Sequence, residues 1–512
     1  MDGEIFGNFA PAFLYVIYNK STLISFIGKY RTDNPGLLLS VMPIVVLLGT
    51  LITLIVCVGS DAVQDYSYYI LGSAAAVCLV AGLLFTRRRR CLLPGLMKSA
   101  RQILPAVPIL LLIGTLSSTW MLSGVVPLLI DYGLVMLDPS TFLFIACMTC
   151  SVVSVVTGSS WTTIATIGVA LMGVGSAMGY SPGWVAGAII SGAYFGDKVS
   201  PLSDTTVLAA STCGVPLFTH IRYLMLTSIP AMAVALAVYL VAGYCSDLTS
   251  GGHAREMTEA IQATFNISAW VLVIPALTMV MIILRAGTSW TLAVGSLAGL
   301  AGIWVFQPHI GVALGGGDVS VAGVVAVSAK VLFTSTSVST GSAMLDPLVA
   351  TGGAEGMLST VWLVLSAMVF GGAMIGTGML GTITRAITSG LSRARSLVAT
   401  TVGSGLFLNS CTGDQYLSII IGGNVYRTTY QRLNVKPQTL SRTLEDSISV
   451  TSVLIPWNSC GVTQSTVLGV ATLTYMPFCI FNIMSPVMTM VMAWSGWRIH
   501  KTHMLNTSSS VG

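Results

Sequence analysis

Charge is scarce in this sequence. Asp, Glu, Lys and Arg make up 8% of its 512 residues, against about 25% in soluble globular domains. So little charge cannot cover a water-facing surface of this size, which excludes an ordinary soluble protein. The five histidines, His220, His253, His309, His500 and His503, fall in no ligand spacing, so no zinc-type centre is expected. No nucleotide-binding glycine loop and no GxSxG elbow occurs, which removes ATP-driven transport and serine hydrolysis and leaves no basis for an enzyme. The ten cysteines are scattered, mostly through apolar segments, and Cys147 and Cys150 make a lone CxxC. Such thiols act as small hydrophobes, so no metal, redox group or other cofactor is expected. The start, Met1-Asp2-Gly3-Glu4, lacks the basic region of a cleavable signal peptide.

What is present is apolar. Hydrophobic residues reach 54% before the 53 glycines are counted, and the mean hydropathy is +0.85. Runs long enough to span a bilayer, about 17–25 residues, recur at 37–58, 69–86, 141–157, 221–243, 268–284, 288–306, 356–380 and 475–495. Others, at 107–131, 160–195, 320–350, 396–425 and 448–470, are interrupted by Gly, Pro, Ser or Thr. The pattern predicts an all-α polytopic membrane protein with about 10–13 transmembrane or re-entrant segments. Basic residues gather in one expected loop (Arg87 to Arg90, Lys98, Arg101) and after the last run (Arg498, His500, Lys501). The positive-inside rule makes both cytoplasmic and explains them by topology. The expected partners are therefore the lipid bilayer and a small solute, with no nucleic acid.

The chain also matches itself at an offset of 255 residues. Thr157-Gly158-Ser159-Ser160-Trp161 falls on Thr412-Gly413-Asp414-Gln415-Tyr416, Pro182 on Pro437, Pro201 on Pro456, and Gly214-Val215 on Gly469-Val470. Two interrupted membrane segments thus recur in corresponding positions, the sequence mark of a secondary transporter built from repeats. The expected division is an N-terminal segment (1–35), two membrane halves (36–255 and 256–495) and a cytoplasmic tail (496–512).

The polar chemistry sits in those interruptions. "FGDKVSPLSDTT" (195–206) puts Asp197, Lys198 and Asp204 around Pro201 inside the apolar mass. In a continuous helix Pro201 would leave the Asp197 carbonyl without a partner, and Pro456 would do the same to Ser452. Free carbonyls beside a carboxylate, with the hydroxyls of Ser200, Ser203, Thr205 and Thr206, make an oxygen-rich pocket suited to Na⁺. Asp197 and Asp204 are the expected cation ligands, since acids at membrane depth mark functional sites. An Asp197–Lys198 packing pair is the alternative, although adjacent helical residues point apart. "TGSSWTT" (157–163) reads as the tip of a re-entrant hairpin, offering Thr157, Gly158, Ser159 and Ser160 to a cavity. Close packing of small residues would explain it equally. Its match to "TGDQY" adds Asp414. In "LSRTLEDS" (440–447), Arg442 has Glu445 and Asp446 at ion-pair spacing, so these, with Lys198, are candidate charge partners.

Taken together, "TGSSWTTIATIGVA", "GAYFGDKVSPLSDTT", "GDQYLSIIIGG", "LSRTLEDS" and "LIPWNSCG" resemble the NhaC-type Na⁺/H⁺ antiporters, over roughly residues 36 to 495. That family commonly has Asn where Val207 stands, Gly and Pro at Ile448 and Val453, and Thr at Ser159. The resemblance adds Asn458 to the candidate ion-binding residues. It implies Na⁺ and H⁺ as transported ions, two inverted repeats with re-entrant hairpins, a moving transport domain, a homodimer and a place in the cell (inner) membrane. Some members exchange malate for lactate with Na⁺ and H⁺, so a Na⁺/H⁺-coupled exchanger of organic anions or amino acids is the alternative function.

Overall fold

The structure is a computed structural model that describes residues 35–58, 62–85, 89–104, 106–246, 252–284, 286–341, 345–389 and 393–496. The N-terminal segment and the last basic cluster fall outside these. Helices account for most of the described residues, and the one strand-like pairing among them is a bridge between Thr336 and Thr351. Among the described residues seven helices are long and apolar enough to cross a membrane, or ten if each sharply bent pair counts as one span. That meets the lower end of the expected range. Large apolar side chains face outward, such as Leu38 at 89% and Val56 at 77% exposure. A lipid environment makes this inexpensive. The chain is a multi-pass membrane protein.

One expectation is corrected at the first basic cluster. Arg89–Ile103 is a helix, not a loop, and it carries Lys98 and Arg101. Its Pro94 lies inside it, and its Gly95 packs against the Gly372–Gly376 backbone of Leu358–Gly376.

Ten elements position the polar centre. The first half supplies α1 (Pro139–Thr157), α2 (Ser160–Ala177), α3 (Pro182–Val199), α4 (Asp204–Cys213) and α5 (Leu217–Tyr244). The second supplies α6 (Ala394–Thr412), α7 (Gln415–Arg432), α8 (Pro437–Leu444, continued by a π turn at Glu445–Ser449), α9 (Ser459–Leu468) and α10 (Ile480–Ser495).

Local chemistry sets these boundaries. Pro139 opens α1 behind an Asp138 cap, whose Oδ1 accepts the Ser140 amide at 2.9 Å. Gly158 ends α1 at φ 68°, and Gly413 ends α6 at φ 65°. Both lie in the left-handed region that glycine enters without steric cost. The next residue caps the returning helix: Ser159 Oγ accepts Thr162 N at 3.2 Å, and Asp414 Oδ1 accepts Leu417 N at 2.9 Å. The threonine before each glycine accepts the amide two residues on, at 3.2 Å in both halves. The 255-residue match therefore extends to backbone angles and caps.

Within the first half, α3 lies along α1. Gly192 and Gly196 press on the Cys147 and Ser151 carbonyls, and a Cβ at either would overlap them. Equal steps along both helices mean that they run parallel. Gly168 and Gly175 of α2 face Ile189 and Val185 of α3, so α2 runs antiparallel to α3. The halves then interlock: α4 packs on α7 and α8, while α9 packs on α2.

Candidate functional site

A cavity of about 500 Å³ opens where the first hairpin tip, the break between α3 and α4, and the second hairpin tip meet. Thr157, Gly158, Ser159, Trp161 and Thr162 line it from the first tip, and Gln415 and Tyr416 from the second. Asp197, Leu202, Asp204 and Thr205 come from the break, with Ile109 and the 286–291 segment forming the remaining wall.

The break itself corrects the sequence expectation. The residue before a proline is driven out of the helical region. Ser200 accordingly takes φ −76°, ψ 132°, and α3 stops at Val199 rather than running through Pro201. The Ser200 amide then reaches both the Gly196 and Asp197 carbonyls, at 3.1 and 3.2 Å. The Asp197 carbonyl is not free. In the second half Ile455 is extended for the same reason, and its amide donates to the Ser452 carbonyl at 3.3 Å.

What remains at Asp197 is its side chain. Oδ2 accepts the Ser160 amide at 3.1 Å and the Ser160 hydroxyl at 2.7 Å. Ser160 begins α2, so this carboxylate sits at a helix N-terminus, where backbone amides and the helix dipole favour negative charge. Asp204 opens α4 and is exposed toward the cavity. Ser203 caps that helix and meets the Thr205 hydroxyl at 3.0 Å. Ser200 acts differently: its hydroxyl donates to the Val155 carbonyl at 2.8 Å and pins the break to α1.

Other candidate residues lie away from the cavity. Asp414 is buried behind the second tip as a helix cap, with Ser459 Oγ 3.3 Å from Oδ2. Asn458 caps α9 through Cys460 N at 3.1 Å. Ser452 reaches the cavity wall only through Gln415, at 3.3 Å. Lys198 turns away from Asp197 and forms a buried ion pair with Asp446, across 248 residues of sequence. Ser485 Oγ contacts Lys198 Nζ and Asp446 Oδ1 at 2.8 Å each, while Thr227 and Thr489 donate to the same carboxylate. The expected ion pairing of Arg442 with Glu445 and Asp446 is not formed. Arg442 Nη1 instead points at the Met492 sulfur, and neither Glu445 carboxylate oxygen has a hydrogen-bond partner among the described residues.

Sequence reasoning did not single out Trp161, Thr162, Gln415 and Tyr416, although each lies in or beside a quoted motif. Thr288 and Thr291 carried no signal, since they begin an ordinary apolar span, Thr288–Phe306. Thr227, Ser485 and Thr489 are single hydroxyls in long apolar helices and were equally unmarked.

Of the described lining residues two are acidic and none is basic, and the other polar groups are mostly hydroxyls. No group of three or more His, Cys, Asp or Glu that would hold a transition metal occurs among the described residues. Such a hydroxyl-and-carboxylate cavity suits a hard monovalent cation that must leave again.

The family model described as the Na⁺/H⁺ antiporter family matches residues 18–215 and 192–497. The chain belongs to that family. It is 36% identical over 397 residues to the Na⁺/H⁺ antiporter NhaC of Alkalihalophilus pseudofirmus, covering 78% of this chain and 83% of that one. It is also 32% identical to the arginine/ornithine antiporter ArcD of Halobacterium salinarum, over 80% of this chain and 82% of that one. The malate-2H⁺/Na⁺-lactate antiporter of Bacillus subtilis is 32% identical, over 77% of this chain and 81% of its own length. The two stretches matched by the family model each contain one of the hairpins whose tips border the cavity. The members it resembles are transporters, and the NhaC-type resemblance read from the motifs is borne out.

Proposed function

We propose that this chain is a secondary Na⁺/H⁺ antiporter in which Na⁺ and H⁺ compete for Asp197, with Asp204 assisting, in the cavity between the two hairpin tips. The observation that carries this reading is the charge of the cavity: two acids and no base among its described lining residues. A carboxylate at membrane depth is costly when bare, so it is occupied either by a proton or by a cation. Exclusive occupancy on one carrier is sufficient for exchange, because the site crosses loaded with Na⁺ in one direction and with H⁺ in the other. Ser160 holds the carboxylate in place for both ligands. On the family resemblance, the two halves are inverted repeats whose interlocked elements belong to a transport domain that moves against a scaffold, in a homodimer in the cell membrane.

The cavity also supports a second reading. About 500 Å³ walled by Trp161 and Tyr416 is more room than a bare ion fills, and it suits a cationic amino acid. An organic anion is less well served, for want of a positive group among the described lining residues. Purified protein in proteoliposomes with a preset pH gradient tests all three. Addition of Na⁺ or Li⁺ collapses the gradient on the favoured reading. Collapse by arginine or ornithine alone supports the second reading, and collapse by malate or lactate alone refutes both.

A further inference from the structure

The turn at Glu445–Ser449 holds a charged group that the cavity does not use. Glu445 is 0% exposed, and both of its carboxylate oxygens lack a hydrogen-bond partner among the described residues. It opens a π turn, a distortion frequently found at functional sites. Three residues earlier, Arg442 is also fully buried, and its Nε and Nη2 have no hydrogen-bond partner among the described residues. Asp446 is already neutralised by Lys198.

A bare carboxylate in such a place is costly, and so is an unpaired guanidinium. Opposite charges one helical turn apart, each with free hydrogen-bonding groups, would close into an i,i+3 pair. This pair is open. An uncharged, protonated Glu445 accounts for the open pair, and the Ser449 hydroxyl, itself without a partner among the described residues, lies beside it as the polar group its carboxyl faces. The ionisable groups around it are Lys198 and Asp197 from α3, Asp446 from its own turn and Cys213 from α4. His220 of α5 and Tyr430 of α7 flank Asp446 and Arg442 respectively.

We propose that Glu445 is a second proton-binding group, separate from the cavity carboxylates. It holds its proton in the conformation seen here and releases it to water at another stage of the cycle, where Arg442 takes up its charge. The release step rests on the antiport reading above; the protonated state does not. Glu445→Gln, an isostere of the neutral acid, tests both. The variant is expected to insert and fold like the wild type. Infrared spectra at neutral pH are expected to lose one protonated-carboxyl band relative to wild type. The H⁺/Na⁺ ratio, from reversal potentials in proteoliposomes, is expected to fall by one proton per cycle. A variant that fails to fold, or an unchanged infrared spectrum, overturns the protonated state. A lost band with an unchanged ratio makes the proton a fixed structural one and overturns its release. If the wild type moves no protons against Na⁺, the antiport reading fails instead, and the infrared comparison alone decides the state of Glu445.

Discussion

Replacing Asp197 by Asn removes one charge and little else. The amide oxygen still accepts from the Ser160 amide and hydroxyl, which bind Oδ2 at 3.1 and 2.7 Å in the native side chain. The hairpin tip and the break should therefore keep their arrangement. The loss to a bound cation is electrostatic. A unit charge pair about 4 Å apart is worth roughly 4 kcal/mol at an effective dielectric of about 20. At about 1.4 kcal/mol per factor of ten, that is close to a thousandfold in Na⁺ affinity. Asp204 stays and recovers part of it, so a loss of roughly a hundredfold to a thousandfold is expected. The assay is Na⁺-driven proton movement in proteoliposomes, with the pH optically recorded inside. Asp197→Asn should abolish exchange at Na⁺ concentrations that saturate the wild type, while its yield and thermal unfolding remain unchanged. Exchange with native affinity and native pH dependence would refute the assignment of this carboxylate.

Asp204→Asn should act more weakly, because Asp204 faces the open cavity: it should raise the Na⁺ concentration needed without abolishing exchange. Lys198→Met should lower thermal stability by about 3–5 kcal/mol, since it strands Asp446 in the interior. Adding Asp446→Leu should restore much of that loss, and a double variant no more stable than the single would argue against the pair. Gly158→Ala should destabilise more than Gly469→Ala. Both have positive φ, but a Cβ at 158 meets Leu202 at 2.6 Å, whereas 469 opens on free space. Cysteines at 158 and 413, in a cysteine-free background, should label from opposite sides of the membrane. Labelling of both from one side in every state would count against inverted repeats.

Much of this was legible before the structure. The tips could be read because a left-handed glycine followed by a capping side chain is local chemistry, repeated at Gly158-Ser159 and Gly413-Asp414. Most of the spans followed from apolar length alone, as at Thr288–Phe306. The carbonyl argument failed because it kept α3 helical through Pro201, whereas the proline acts on Ser200 and ends the helix first. Charge partners failed for another reason. Arg442 and Glu445 have the spacing of a pair, but tertiary placement gives Asp446 to Lys198 from the other half of the chain. A spacing rule carries no information about a partner 248 residues away. Thr288 and Thr291 join the cavity wall by the same kind of long-range placement.

The most direct test of competition at Asp197 is equilibrium binding of radioactive Na⁺ to the solubilised wild type across a range of pH. Competition predicts that apparent Na⁺ affinity weakens as pH falls, approaching about tenfold per unit once the proton dominates the site, and that Asp197→Asn flattens this dependence. Na⁺ binding that is independent of pH, or that keeps its pH dependence in Asp197→Asn, would contradict it.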